Sequence, residues 1–324
     1  MFFRSNLSTT WNSLQAVITS PKALRIQFSM RNPKHQLLIA LTGIIGTLTA
    51  TAEPATHKIV FVAGKHSHGH GEHEHRAGSM LLADQLKKSG LGFETVVVEN
   101  GWPADESVFD GASAVVIYAD GGPGHPAMQH LEKLRSLAKA GVGIGCIHYA
   151  VEIPKGEPGN ALLDSIGGFF EAGWSVNPIW EASFKMPAHP VANGVADYHI
   201  KDEWYYHMRF RNNMEGVTPI LTALPTADTL SREDGPHEGN PDVRKAVLEE
   251  KQPQHVMWVL QRPNDIGGGR GFGFTGGHYH KNWQDDNQRR VVLNAIAWIS
   301  GMEVPEKGIP TVTPTNAEME ANQG

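Results

Sequence analysis

A single cysteine, Cys146, stands in the 324 residues, so no intrachain disulfide can form. A chain of this length, 40% hydrophobic, can bury a full core without such a staple. Acidic residues are missing from the first 52 positions, where Arg4, Lys22, Arg25, Arg31 and Lys34 stand unopposed. The apolar run in that region, Leu37–Leu48, is too short to span a bilayer comfortably, and it leads into Ala50-Thr51-Ala52. A basic stretch from Arg31, a short apolar run and an A-x-A signal read as a secretory leader cut before Glu53, with Met30 as a candidate start. Export without disulfides fits a bacterial periplasm or exterior. With those five cations removed, 23 of the 28 basic residues face 34 acidic ones, a net charge near −11. That balance argues against nucleic acid as a partner and, once the leader is cut, against membrane surfaces. The chain shows no internal repeat.

What is present is an alternation of strands and helices. Lys58–Ala63, Phe93–Val98, Ala114–Tyr118 and Gly141–Ile147 are short apolar runs of the buried parallel type. Between them the spacing predicts helices over Ala77–Ser89 and from Pro126 through Lys139. Such an order means right-handed βαβ units in a mostly parallel sheet covered on both faces. The middle is more β-like, with strands expected at Ile179–Met186, Tyr198–Met208, Pro219–Leu224 and Val256–Gln261. Ser231–Gln254 is polar and turn-rich, an insertion or lid; Asp286–Ser300 is a last helix. One α/β domain over residues 57–301 is expected, with 302–324 as a flexible tail.

Ligands of open parallel sheets bind outside the carboxyl ends of the strands, so the residues just after each strand carry the functional argument. After the first come His66, His68, His70, His73, Glu74 and His75, five imidazoles in ten residues. Imidazoles at i, i+2 can converge on one cation, and neutral imidazole suits a first-row divalent ion, zinc foremost. A solvated loop that takes up metal only adventitiously is the bland alternative. After the third strand, Asp120 could orient an imidazole or simply cap its glycine-rich turn. After the fourth comes His148, directly at the strand end, while Cys146 lies on the strand as a small buried hydrophobe. In Lys201–His207, strand alternation puts Glu203, Tyr205 and His207 on one polar face and Asp202 on an apolar one, where it would need a partner. Near the C-terminus, Gly276 and Gly277 release His278, Tyr279, His280 and Trp283 into a loop.

The runs GIGCIHYA (143–150), HPVANG (189–194), DEWYYH (202–207) and TGGHYHKNW (275–283), followed by RRVVLNAIAW, resemble the ThuA-like family, named for trehalose utilisation. The resemblance covers roughly Lys58–Gly301. It implies a class I glutamine amidotransferase-like fold: a flavodoxin-like three-layer α/β sandwich with β-rich insertions and an elbow after the fourth strand. The amidotransferases carry cysteine at that elbow; here the matching residue is His148, and Ala150 replaces a usual glycine, so thiol glutaminase chemistry is not expected. The resemblance places the family's His–acid pair at His73 and Glu74, its acidic strand at Asp202 and Glu203, and its late histidine at His278.

Together these readings give an exported carbohydrate-active enzyme, a hydrolase or lyase of an oligosaccharide or 3-keto-glycoside. His73, His75, His148 and His278 are the candidate metal ligands, and His148, Glu203 and Asp120 the catalytic candidates. Tyr205, Tyr279, His280 and Trp283 are placed against the sugar, and no nucleotide cofactor is expected. Two rivals remain: a non-catalytic sugar- or metal-binding module, and an amidohydrolase-type metal hydrolase, which would need about twice as many βα units.

Overall fold

The computed structural model describes residues 56–324, so the leader reading falls outside the described residues. The order begins β1 (His57–Ala63), α1 (His75–Lys88), β2 (Phe93–Val98), β3 (Ala114–Tyr118), α2 (Leu131–Lys139), β4 (Gly143–Ile147) and α3 (Glu157–Ile166). A β-rich middle follows: β5 (Gly168–Phe169), β6 (Ile179–Phe184), β7 (Tyr198–Glu203), β8 (Arg209–Phe210) and β9 (Val217–Ala223). The chain ends with α4 (Pro241–Arg244), β10 (Gln254–Gln261), β11 (Arg270–Phe274), α5 (Asp286–Ile299) and α6 (Asn316–Glu320).

Seven strands form the central sheet in the order β2-β1-β3-β4-β11-β10-β9. The first five lie parallel to their neighbours, while β10 and β9 close one edge antiparallel. Side-chain alternation explains the three layers. From β1, Ile59 and Phe61 enter a core with Leu82 and Leu86 of α1 and Val292 and Ile296 of α5. Val60 and Val62 enter the opposite core with Leu134 of α2 and Leu162 of α3. Because β11 runs parallel to β4, its carboxyl end brings Thr275–Trp283 to the same rim as the loops after β1, β3 and β4. Among the described residues no helix is long and apolar enough to cross a membrane.

Three expectations change. The strand expected over Tyr198–Met208 stops at Glu203; β6 and β7 form a separate hairpin, and Tyr206 pairs with Val176 instead. His207, at φ +57°, leaves the polar face and stacks on Trp174. The helix expected from Pro126 breaks at His130, whose ring stacks on Trp102, so only Leu131–Lys139 is α-helical. Residues 302–324 are laid against the domain, with Val304, Ile309 and Met319 buried. Gln85 Oε1 accepts from Thr311 Oγ1 at 2.6 Å and Val312 N at 3.0 Å. Thr315 and Glu318 form a capping box that starts α6.

Candidate metal centre

β4 ends at Ile147 and the chain turns at once, with His148 at φ +56°. In the loop after β1, His73 sits at φ +48°. A left-handed conformation costs a non-glycine residue about 1–3 kcal/mol, so both are held by what surrounds them. His73 N donates to His278 O at 3.0 Å and His280 N to Gly71 O at 2.9 Å, lacing the loop after β1 to the loop after β11. Gly277, at φ +101°, makes the turn in the latter. That turn is anchored by Asp202, which is fully buried and accepts from Gly277 N at 2.8 Å and His278 N at 3.1 Å. The partner that a buried Asp202 requires is therefore backbone, and it fixes the position of His278.

His148 and His73 meet with their Nε2 atoms 3.1 Å apart. The far nitrogen of each ring is committed. His148 Nδ1 donates to the Thr275 carbonyl at 2.8 Å, and His73 Nδ1 donates to Asp120 Oδ1 at 3.1 Å. Each neutral ring therefore presents its Nε2 lone pair to the shared space. Burial, and next the neighbouring imidazoles His73 and His278, hold His148 well below the usual histidine range. Glu203 completes the cluster: Asn177 Nδ2 donates to its Oε1 at 3.1 Å, and its Oε2 lies 3.5 Å from His148 Nε2 and 3.3 Å from His278 Nδ1. His278 Nδ1 is buried, and its contact with Glu203 lacks hydrogen-bond geometry, leaving it without a partner. Burial opposes charging of His278, but Glu203, Asp202 and Glu72 outweigh it and raise its pKa.

Four donors, from His73, His148, Glu203 and His278, thus lie within 4.8 Å of one another. A tetrahedral zinc with ligands at about 2.0–2.1 Å sets neighbouring donors roughly 3.3 Å apart. The separations of 3.1, 3.3 and 3.5 Å bracket that edge. Far nitrogens bound to a carboxylate and a carbonyl are what metal-bound imidazoles ordinarily have. The donor set, its spacing and the orphaned nitrogen fit a divalent cation.

The other expected residues divide. Asp120 joins the site as the partner of His73, and it also accepts from Ser67 Oγ at 2.9 Å. His75 does not enter the cluster; its ring packs on Tyr118 and its Nδ1 bonds Lys65 O at 3.0 Å. Glu203 takes the place that the sequence reading gave to His75. Glu74 braces the loop by accepting from Gly71 N at 2.9 Å. Tyr205 is buried, so it offers no open face to a sugar; its hydroxyl lies 3.1 Å from His148 Nε2. Burial pushes that phenol well up, so it stays protonated. Trp283 is wholly buried against Tyr118 and Phe274, and His280 is buried near α6, so neither lines the site. Tyr279 remains half-buried beside His278, with ring centroids 4.6 Å apart. Cys146 is buried inside β4 with its thiol pushed up by desolvation, two residues from the elbow position. Sequence reading missed the parts played by Thr275, which serves His148 through its backbone carbonyl, and by Asn177, which lies in none of the quoted runs.

The ThuA family model, described as trehalose utilisation, matches residues 58–299. Among solved structures, a ThuA-like protein from Bacteroides uniformis is 16% identical, with a TM-score of 0.51 over 78% of this chain and 94% of that one. A glutamine amidotransferase from Thermotoga maritima gives a weaker likeness: 9% identity and a TM-score of 0.40, covering 76% of this chain and 99% of that one. At 16% identity the likeness to the Bacteroides uniformis protein speaks for the fold alone. Among curated proteins none matches the sequence.

Proposed function

The chain belongs to the ThuA family, and on that premise we propose that it is an exported, carbohydrate-active hydrolase or lyase built around a divalent cation, zinc foremost, held by His73, His148, Glu203 and His278. The observation that carries this reading is the gathering of four donor atoms within 4.8 Å, three of whose separations, 3.1, 3.3 and 3.5 Å, bracket the edge of a tetrahedral zinc site. A cation there would polarise a sugar oxygen or a water molecule. The protein's own groups do the rest. Asp120 and Thr275 O fix the tautomers of His73 and His148, so that both rings arrive as lone-pair donors. Asp202 and Asn177 hold His278 and Glu203 in place without joining the donor set. Tyr205, kept protonated by burial, supplies a neutral hydroxyl donor beside His148. Glu203 has one oxygen committed to Asn177, and the other is free to ligate or to take a proton from a nearby hydroxyl.

Elemental analysis of the purified protein, repeated on His148→Ala, tests the reading. About one equivalent of metal in the parent protein and less than a tenth in the variant is the expected result. Equal metal in both would place the ion in the exposed histidines His66, His68 and His70, and would leave the shared centre without support.

A further inference from the structure

The insertion after β9, polar and turn-rich in sequence, brings His237 to the elbow. His237 Nε2 lies 3.0 Å from each carboxylate oxygen of Glu152, the residue that ends the elbow turn begun by His148. Glu152 is buried, with 6% of its side chain exposed, whereas a third of His237 remains open. The ring of His237 stacks on Phe170 at 5.3 Å, and Phe170 meets Tyr205 of the metal centre edge-on at 5.4 Å. The backbone of the insertion is tied to the same place. Asn177 N donates to His237 O at 3.0 Å while Asn177 Nδ2 holds Glu203. Gly122, at φ +59°, lies against both Glu152 and Tyr149. A Cβ there would sit 3.3 Å from Glu152 Oε1 and 3.6 Å from the Tyr149 hydroxyl, and the Tyr149 ring in turn is 5.8 Å from His73.

We propose that Glu152 and His237 form a carboxylate–imidazole dyad that serves as the general acid and base of the metal centre, acting on a glycosidic oxygen of the substrate. This rests on the hydrolytic form of the function proposed above. Glu152 accepts the Nε2 proton and fixes the tautomer, which leaves Nδ1, with no hydrogen-bond partner among the described residues, as the working nitrogen. The hydrogen bond from Glu152 raises the histidine's pKa against its partial burial. The charged groups around the ring are Glu152 from the elbow turn, Arg232 and Glu238 from the insertion, and Glu203 from β7. In the step the His237 ring enters as the imidazolium, with Nε2–H on Glu152 and a second proton on Nδ1; the bond from the anomeric carbon to the leaving oxygen breaks and that oxygen takes the Nδ1 proton. A water molecule adds to the carbon, and its spare proton returns to Nδ1, so the products are two hydroxyl compounds and the dyad is restored. The arrangement explains why the insertion is fastened to the elbow: it adds a proton donor to a centre whose imidazoles are taken up as ligands.

The test uses the metal-loaded protein, His237→Gln and Glu152→Gln, with metal content measured in each, and with methyl and p-nitrophenyl glucosides as probes. Removing a general acid costs most where the leaving group is poor. His237→Gln should therefore lose ~100-fold or more in kcat on the methyl glucoside but only a few-fold on the nitrophenyl one, with metal content unchanged. Equal losses on both probes, or none, would overturn the dyad while leaving the metal reading intact. No turnover of either probe by the parent protein would count against hydrolysis itself. The dyad is then read by nitrogen-15 NMR of the histidines as trehalose is added. A shift of the His237 Nδ1 signal supports its place at the substrate, and a signal that does not move overturns it.

Discussion

The loop after β1 ends on His73 and His75 and the loop after β11 carries His278 and His280; in each pair, two residues apart, one ring enters the centre and the other does not. His73 and His278 supply donors; His75 packs on Tyr118 and His280 lies buried near α6. In an extended strand, residues i and i+2 share a face, and both members would have pointed the same way. Neither loop stays extended. The chain turns left-handed at His73 and enters α1 at His75, while His280 opens the short helical turn His280–Gln284. Ligand character is thus decided by what waits for the far nitrogen and by where the turn falls, not by the H-x-H pattern.

Removing the anchor of the second loop should give the largest effect. Asp202→Ala deletes a buried acceptor and strands the Gly277 and His278 amides. A loss of about 4 kcal/mol in urea unfolding is expected, together with loss of bound metal. An unchanged midpoint would mean that the loop holds itself. Next in size is the contrast within the first loop. His73→Ala should weaken zinc binding roughly 100-fold or more as measured by competition with a chelator, whereas His75→Ala should keep the metal and cost about 2 kcal/mol of stability. Equal metal loss in the two would erase the distinction drawn between them.

Acid sharpens the same contrast through histidines outside the donor set. Burial pushes His75 and His125 down to about 4 from the ordinary 6.5. A group whose folded pKa lies below its unfolded value adds stability that is fully present above the unfolded pKa. That stability is lost as pH falls from 6.5 toward 4, because the unfolded chain takes up the proton first. Urea unfolding of chelator-treated protein should therefore lose roughly 2 kcal/mol per group between pH 7 and pH 4.5. His125→Gln, which can keep a bond to the Ala150 carbonyl, should flatten part of that slope. A curve of unchanged steepness would remove His125 from the account.

Much of the fold was legible because its signals are local. The β-branched runs of β1 and β3 and the apolar faces of α1 and α5 need only periodicity, while the elbow after β4 came with the resemblance to the ThuA-like family. His73, His148 and His278 could be nominated from the stretches that follow strands and Glu203 from the polar face of its strand, but the sequence could not rank them. His75 and Trp283 carry the same chemistry in the same stretches, and their burial depends on Tyr118, a residue distant from both in the chain. Glu152 and His237 were invisible as a pair, being 85 positions apart with His237 inside an otherwise ordinary insertion. The end of the chain was misread for a different reason. Its composition is polar, but Thr315 and Glu318 are spaced as a capping box, a signal that outweighs composition once three apolar anchors have somewhere to go.

That C-terminal stretch gives the smallest effect and the finest test of the loop comparison. α6 packs on the turn that begins at His280, and it is among the reasons that this ring lies inside while His278 faces the centre. Thr315→Ala removes the cap and should cost about 1 kcal/mol. Because the loosened helix covers His280 and not the donor set, amide exchange should quicken at 316–320 and at His280. Metal content should stay the same. If exchange quickened at His278 as well, with metal released, the two histidines of this loop would be one cooperative unit and the division drawn between them would not hold.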